Sequence, residues 1–284
     1  MIRHASNTSF RNSAELKTAE TASSIDVALS VHGLRHSYGG DAFVVDGVSL
    51  NFPVGSWTAV MGPSGSGKST LLYCMSGLLR PSEGRVLCSG TDITGLSPDE
   101  LTRFRREHFG FVFQGYNLLP ELTCTQNVML PTLFGPAPIS EAQADEALTS
   151  VGLDGYGDRY PDGISGGQSQ RVAIARALAT HPGVVFADEP TGALDTHTTR
   201  AVMDLFGMVV KHGQTLIMVT HDPNVAACAD RVVFLVDGRV ASVHGRMSAS
   251  DIALAFANGF VSPADATTIP DGEVHISADS HDGE

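Results

Sequence analysis

An apolar run, Trp57 to Met61, gives way to Gly62-Pro63-Ser64-Gly65-Ser66-Gly67-Lys68-Ser69, after which helix-compatible residues continue to Leu79. This is the spacing GxxxxGK[ST], set between a predicted strand and a predicted helix, which is the context the pattern requires. Its glycines let backbone N–H groups curl around a phosphate, and the start of a helix adds positive potential. Lys68 is placed to reach the β- and γ-phosphates of a nucleotide, and the Ser69 hydroxyl to ligate Mg²⁺. Thr70 follows in the first helical turn and completes the nucleotide-binding stretch. No other feature of the chain constrains its fold as tightly, because the loop has meaning only at the end of a buried parallel strand.

A second strand supports that reading. Gly183-Val184-Val185-Phe186-Ala187 is apolar and ends in Asp188-Glu189. Phosphoryl transfer needs one acid beside the metal and often another to orient or activate water. Asp188 fits the metal role and Glu189 the role of base. A strand ending in two acids is, taken alone, as well explained by a solvated turn. Beside the phosphate loop it points to ATP and Mg²⁺ chemistry.

The remainder alternates strand and helix signals, which argues an α/β fold. Val27 to Val31 and Ala42 to Phe52 read as early antiparallel strands, and Gly110 to Phe113 as a further strand. Ser97-Pro98-Asp99-Glu100 opens a helix as a capping box with Pro at the first helical position. Thr123 to Leu153 reads as helical throughout, with box spacings at Thr123/Gln126 and Ser140/Gln143 and a stop at Gly152. This gives a helical segment inserted between two strand-bearing parts. Helices are predicted over Ser165 to Thr180 and Thr196 to Lys211, and a strand over Thr215 to Val219. Val232 to Val236 and Arg239 to Val243 flank Asp237-Gly238, a hairpin signal. Ser250 to Phe260 reads as a short helix.

With these elements in order, the chain resembles the ABC ATPases. Ile164-Ser165-Gly166-Gly167-Gln168 is similar to the LSGGQ signature of that family, and Arg171-Val172-Ala173-Ile174-Ala175-Arg176-Ala177-Leu178 extends the match. Gln114, after Phe111-Val112-Phe113, resembles the Q-loop glutamine. Ala193-Leu194-Asp195 resembles the D-loop, and His221 in Val219-Thr220-His221-Asp222 the switch histidine. Tyr38 lies where the family stacks an aromatic ring on adenine. The resemblance covers residues 27–246 and implies a P-loop NTPase core with an antiparallel β subdomain and an α-helical subdomain over about 115–165.

What the resemblance implies about chemistry is specific. Two ATPase domains meet head to tail, with ATP between the phosphate loop of one and the signature of the other. Ser165, Gly166, Gly167 and Gln168 would then serve the partner's nucleotide, Asp195 would bridge the two sites, and a homodimer is the expected active form. Gln114 would sense Mg²⁺ and the attacking water, and His221 would contact the γ-phosphate, so Glu189, His221 and Gln114 form the catalytic set. Ser69, Gln114 and Asp188 form the metal set.

Asn117-Leu118-Leu119-Pro120, Leu122-Thr123 and Gln126-Asn127-Val128-Met129-Leu130-Pro131 are similar to a pattern in the branch that contains lipoprotein-release, macrolide-export and cell-division ATPases. Ile164 stands where Leu is usual, an apolar swap, and Gln126 stands where Glu is usual; Gln and Glu both fit the third position of a capping box. The branch implies an ATPase that drives an integral membrane permease, here expected as a separate subunit, from the cytoplasmic face of the membrane. The alternative within the branch is a cell-division-type complex that transmits a signal and moves no cargo.

Composition sets the outer bounds. The chain has 284 residues and a net charge of −13, and 42% of its residues are hydrophobic, enough for a real core. Of 31 acids, seven fall after Arg246, where there is no Lys or Arg, and the remaining 24 face all 18 bases. No broad basic face is available, so nucleic acid is not an expected partner. No apolar run approaches the roughly 18–20 residues that span a bilayer. Cys74, Cys88, Cys124 and Cys228 lack metal-ligand spacing and read as structural thiols. Residues 1–26 are expected to be a flexible tail and residues 247–284 an acidic, mostly disordered one. His36, His108, His181 and His212 are expected on loops or at the surface.

Overall fold

The computed structural model describes residues 26–259 apart from 41, 134, 136 and 137. The expected N-terminal tail, all but its last residue, and the acidic segment after 259 lie outside the described residues. The chain order is β1 (Val27–His36), β2 (Val45–Pro53), β3 (Trp57–Met61), α1 (Lys68–Met75), β4 (Glu83–Cys88), β5 (Thr91–Asp92), α2 (Pro98–His108) and β6 (Phe109–Phe113). The elements α3 (Cys124–Met129), α4 (Glu141–Ser150), α5 (Gly166–Leu178), β7 (Val184–Asp188), α6 (Thr196–Lys211) and β8 (Thr215–Val219) follow. The described part closes with α7 (Pro223–Ala226), β9 (Arg231–Val236), β10 (Arg239–His244) and α8 (Ala249–Ala257).

Two sheets organise the molecule. A six-stranded sheet runs β10-β9-β3-β8-β7-β6, parallel from β9 to β6 with β10 antiparallel at its edge. A four-stranded antiparallel sheet runs β2-β1-β4-β5. The central strands β3, β7 and β8 are buried at every residue, as parallel strands covered on both faces must be. The strand period of two then divides the core. Trp57, Ala59, Met61, Val185, Ala187, Leu216 and Met218 enter one cluster, with residues of α3 to α8. Val60, Val184, Phe186, Ile217 and Val219 enter the other, with α1 and the antiparallel sheet.

The helical segment is less continuous than expected. Between α3 and α4 the backbone leaves the α-helix: Leu130–Thr132 is a single 3₁₀ turn with Pro131 inside it. Proline's missing N–H and its ring end an α-helix. All three predicted capping boxes form, at Ser97/Glu100, Thr123/Gln126 and Ser140/Gln143. Helix α1 stops at Met75 rather than Leu79, because Gly77 adopts φ +66°, a left-handed stop. Strand β2 starts at Val45, not Ala42, and β4 has no counterpart among the predicted strands. Its Glu83, Gly84 and Arg85 are exposed, so only Val86 and Cys88 carry an inward signal.

Helix α8 is the short helix expected near Ser250 to Phe260, and it lies beyond the boundary at 246, in the segment expected to be mostly disordered. Ser248 caps it, and Ile252 and Ala255 are fully buried in the first cluster. Its apolar stripe requires the core, so residues 249–257 pack as part of the domain. Cys74, Cys88 and Cys124 are buried and Cys228 is exposed, all as free thiols; burial pushes Cys74 up to about 12. His36 is buried rather than surface-placed, at the inner end of β1.

Candidate functional site

The parallel register sets the site. Val60 pairs with Val219, Val219 with Asp188, and Asp188 with Phe113. Four neighbouring strands therefore end level with one another, and the residues that follow share one rim: Gly62, His221, Glu189 and Gln114. Ligands of open α/β sheets bind at this carboxyl end.

The phosphate loop is packed so closely that two of its glycines have no substitute. A Cβ on Gly62 would lie 2.0 Å from the Leu235 carbonyl oxygen. One on Gly67 would lie 2.3 Å from that of Val44, and Gly67 adopts φ +93°. The loop delivers the chain into α1, which begins without a side-chain cap. Its first N–H groups thus retain capacity for an anion, aided by the helix dipole. The Ser66 hydroxyl is buried and has no hydrogen-bond partner, an orphaned donor in a loop made of backbone amides. Lys68 lies back over the loop and donates to the carbonyls of Gly62 at 2.9 Å and Pro63 at 2.8 Å. Burial lowers its pKa, and the charges of Glu189 and Asp188 oppose that fall.

Asp188 is reached from α1 by two hydroxyls. Ser69 Oγ donates to Oδ1 at 2.9 Å, and Tyr73 Oη donates to Oδ2 at 2.7 Å. The Tyr73 hydroxyl is held far above its usual range, first by burial and then by this bond, so it stays a donor. Two hard oxygen groups, Ser69 and Asp188, meet at the start of α1, a donor set suited to Mg²⁺.

Glu189 follows with φ +46°, a left-handed conformation that costs a non-glycine residue of order 1 kcal/mol or more and clusters at functional sites. Its amide donates to the Val219 carbonyl at 3.0 Å, which anchors the turn. Its Oε2 meets His221 Nδ1 at 2.7 Å. A carboxylate only accepts, so Nδ1 carries the proton of this bond. Gln114 is exposed on the same rim, and a Cβ on Gly192 would lie 2.8 Å from its Nε2. Tyr38 is 67% exposed at the mouth, with its hydroxyl 3.2 Å from Thr70 Oγ1 and its ring edge-on to His36.

The structure therefore brings together Tyr38, residues 62–70, Gln114, Asp188, Glu189 and His221. It does not bring Ser165 to Gln168 to that rim. Ser165 caps α5, accepting from the Gln168 amide while Gln168 Oε1 accepts from the Ser165 amide at 2.8 Å. The other neighbours of this segment are Tyr156, bonded to Gln168 Nε2 at 2.9 Å, Tyr116 beside Gly166 and Thr198 beside Gly167. Asp195 caps α6 and accepts from the Thr198 amide and hydroxyl, bonds that hold its carboxyl below the usual range.

Three supporting residues had no role assigned to them from the sequence. Tyr73 is one helical turn beyond Ser69 on the same face of α1, a spacing that would have revealed it. Asn127 is fully buried and ties down the segment after Gln114, bonding the Leu119 amide at 2.8 Å and the Leu119, Leu122 and Thr123 carbonyls at 3.0 Å. Arg176, on α5, donates to the carbonyls of Asn117 at 2.5 Å and Tyr116 at 2.7 Å. Only the fold brings these last partners together.

Residues 45–192 match the family described as ABC transporter. The chain is 44% identical over 254 residues to the macrolide export ATP-binding/permease protein MacB of Rhodopirellula baltica, covering 85% of this chain and 37% of that protein. It is 43% identical over 220 residues to the pyoverdine export ATP-binding/permease protein PvdT of Pseudomonas syringae pv. syringae, covering 75% and 34%. The chain thus spans about a third of the length of the curated relatives it matches. Among solved structures, it is similar to the dimeric post-hydrolysis state of the ATP-binding cassette MJ0796 bound to ADP and Pi. The TM-score is 0.72 at 38% identity, over 78% of this chain and 99% of that one. No helix among the described residues is long and apolar enough to cross a membrane.

Proposed function

The chain belongs to the ABC transporter family of ATP-binding cassettes, and on that premise we propose that it hydrolyses ATP to drive an integral membrane permease in export. One observation carries the chemistry: Lys68, Ser69, Asp188, Glu189 and His221 converge on one rim, joined by the Ser69–Asp188 bond at 2.9 Å and the Glu189–His221 bond at 2.7 Å. The uncapped start of α1, the amides of residues 62–67 and Lys68 bind the phosphates. Ser69 and Asp188, with Gln114 on the same rim, would hold Mg²⁺, which would neutralise phosphate charge. Glu189 accepts the proton of the attacking water, and His221 keeps its carboxylate turned toward that water. Tyr38 stacks on adenine.

The signature supports a second copy in the reaction. Ser165, Gly167 and the start of α5 form an anion-binding helix end away from this chain's own phosphate loop. In a head-to-tail homodimer they would complete the partner's site, with Asp195 alongside. The printed names of the MacB and PvdT relatives support export, and the branch pattern at 117–131 agrees. The proposed location is the cytoplasmic face of the membrane, against a separate permease subunit.

Titration with a fluorescent ATP tests the site. The wild-type chain is expected to bind and Lys68→Ala to lose binding by about a hundredfold, two charge-assisted contacts' worth. Equal affinity in the two proteins would remove residues 62–70 from nucleotide binding.

A further inference from the structure

Resting on the reading of Ser69 and Asp188 as the metal side of the site, we infer that Tyr73 is a positioning residue that orients the Asp188 carboxylate for the divalent cation. The two oxygens of Asp188 are held by different means. Oδ1 accepts from Ser69 Oγ at 2.9 Å, and Oδ2 from Tyr73 Oη at 2.7 Å. Ser69 is itself a metal-side group, and its hydroxyl must turn its lone pairs to a cation. The Tyr73 hydroxyl has no such second task. Its bond therefore keeps the carboxylate plane fixed while Ser69 changes partners.

The side chain is built for this. A carboxylate rotates freely about its last torsion, where the energy wells are broad. Tyr73 reaches it with a rigid ring that packs against the second core cluster, so the position of the hydroxyl is set by the core. Ser69 and Tyr73 stand one turn apart on α1, so one helix delivers both donors to one carboxylate. Asp188 is 9% exposed, which limits the water available to replace a lost donor. The donation draws some charge from Oδ2, but the orienting effect is the larger: removing an outer partner of a metal ligand typically weakens metal affinity by about tenfold or more.

The test uses the full chain with ADP and Mn²⁺ as the probe, read by electron paramagnetic resonance. Tyr73→Phe removes only the hydroxyl and leaves the ring packing. It is expected to weaken Mn²⁺ binding by about tenfold and to broaden the bound Mn²⁺ spectrum. The Mg²⁺ concentration for half-maximal ATP turnover should rise by the same factor. Binding of fluorescent ATP in EDTA should match wild type, which a general loss of structure would not allow. Asp188→Asn is the reference and should lose more Mn²⁺ affinity than Tyr73→Phe. If Asp188→Asn weakens Mn²⁺ binding and Tyr73→Phe leaves it at the wild-type value, the inference on Tyr73 fails and the metal reading stands. If neither substitution changes Mn²⁺ affinity, the metal reading fails and the inference falls with it.

Discussion

The rim that carries the phosphate loop and the end of α5 that carries the signature are built on opposite plans. On the rim, polar groups bond across long stretches of sequence: Ser69 and Tyr73 to Asp188, and Glu189 to His221. At the signature they bond locally: Ser165 to Gln168 and Asp195 to Thr198. Both are helix starts, but α1 begins without a side-chain cap while Ser165 and Gln168 cap α5, and the rim adds a lysine, metal-side oxygens and a base. The difference is the ground for the proposed head-to-tail pairing: the rim holds a nearly complete nucleotide site, and the signature segment has no part in it.

The largest effect should come from the base on the rim. Glu189→Gln is expected to lower kcat by about 10²- to 10⁴-fold while nucleotide affinity, measured by fluorescent-ATP titration, holds. Loss of affinity in step with turnover would place Glu189 in binding instead. Packing separates the regions next. Gly62→Ala pushes a methyl onto a backbone carbonyl and should cost about 3 kcal/mol in denaturant unfolding. Gly166→Ala meets the far end of Tyr116 at 2.9 Å and should cost less than about 1 kcal/mol. Equal costs would show the rim to be no tighter than the signature.

The bridge between the two regions is Arg176, whose guanidinium holds the segment after Gln114. Arg176→Met leaves the Tyr116 and Asn117 carbonyls unpaired and should lose about 2 kcal/mol of stability. It should also raise hydrogen exchange at residues 115–123 before it does so in β7. Tyr38→Ala, at the exposed mouth, should weaken nucleotide binding least, by about threefold to tenfold.

How far these regions were legible in the sequence follows from the same contrast. The rim residues sit at strand ends and in a spaced motif, so buried-run and spacing arguments find them. The strand over 215–219 and the helix over 196–211 match the structure residue for residue, because continuous burial or a clean cap bounds each one. Strand β4 was not legible, since half of it faces solvent and its partners on β1 are 48 to 59 residues away. The break between α3 and α4 was signalled by Pro131 but masked by two good capping boxes. Residues 249–257 carried too short an apolar stripe to be joined to the domain without the core they pack on. Tyr73 was legible from helix spacing, whereas Arg176 and Asn127 were not, because their partners are carbonyls in an irregular segment.

The claim that two chains share each site is tested most directly by Ser165→Arg, which puts a long charged side chain at the exposed end of α5. ATP turnover and fluorescent-ATP affinity would be measured together on the purified chain. The expected result is turnover reduced by at least about a hundredfold with wild-type affinity in the dilute protein, since the chain's own phosphate loop is untouched. Wild-type turnover in Ser165→Arg would contradict a shared site.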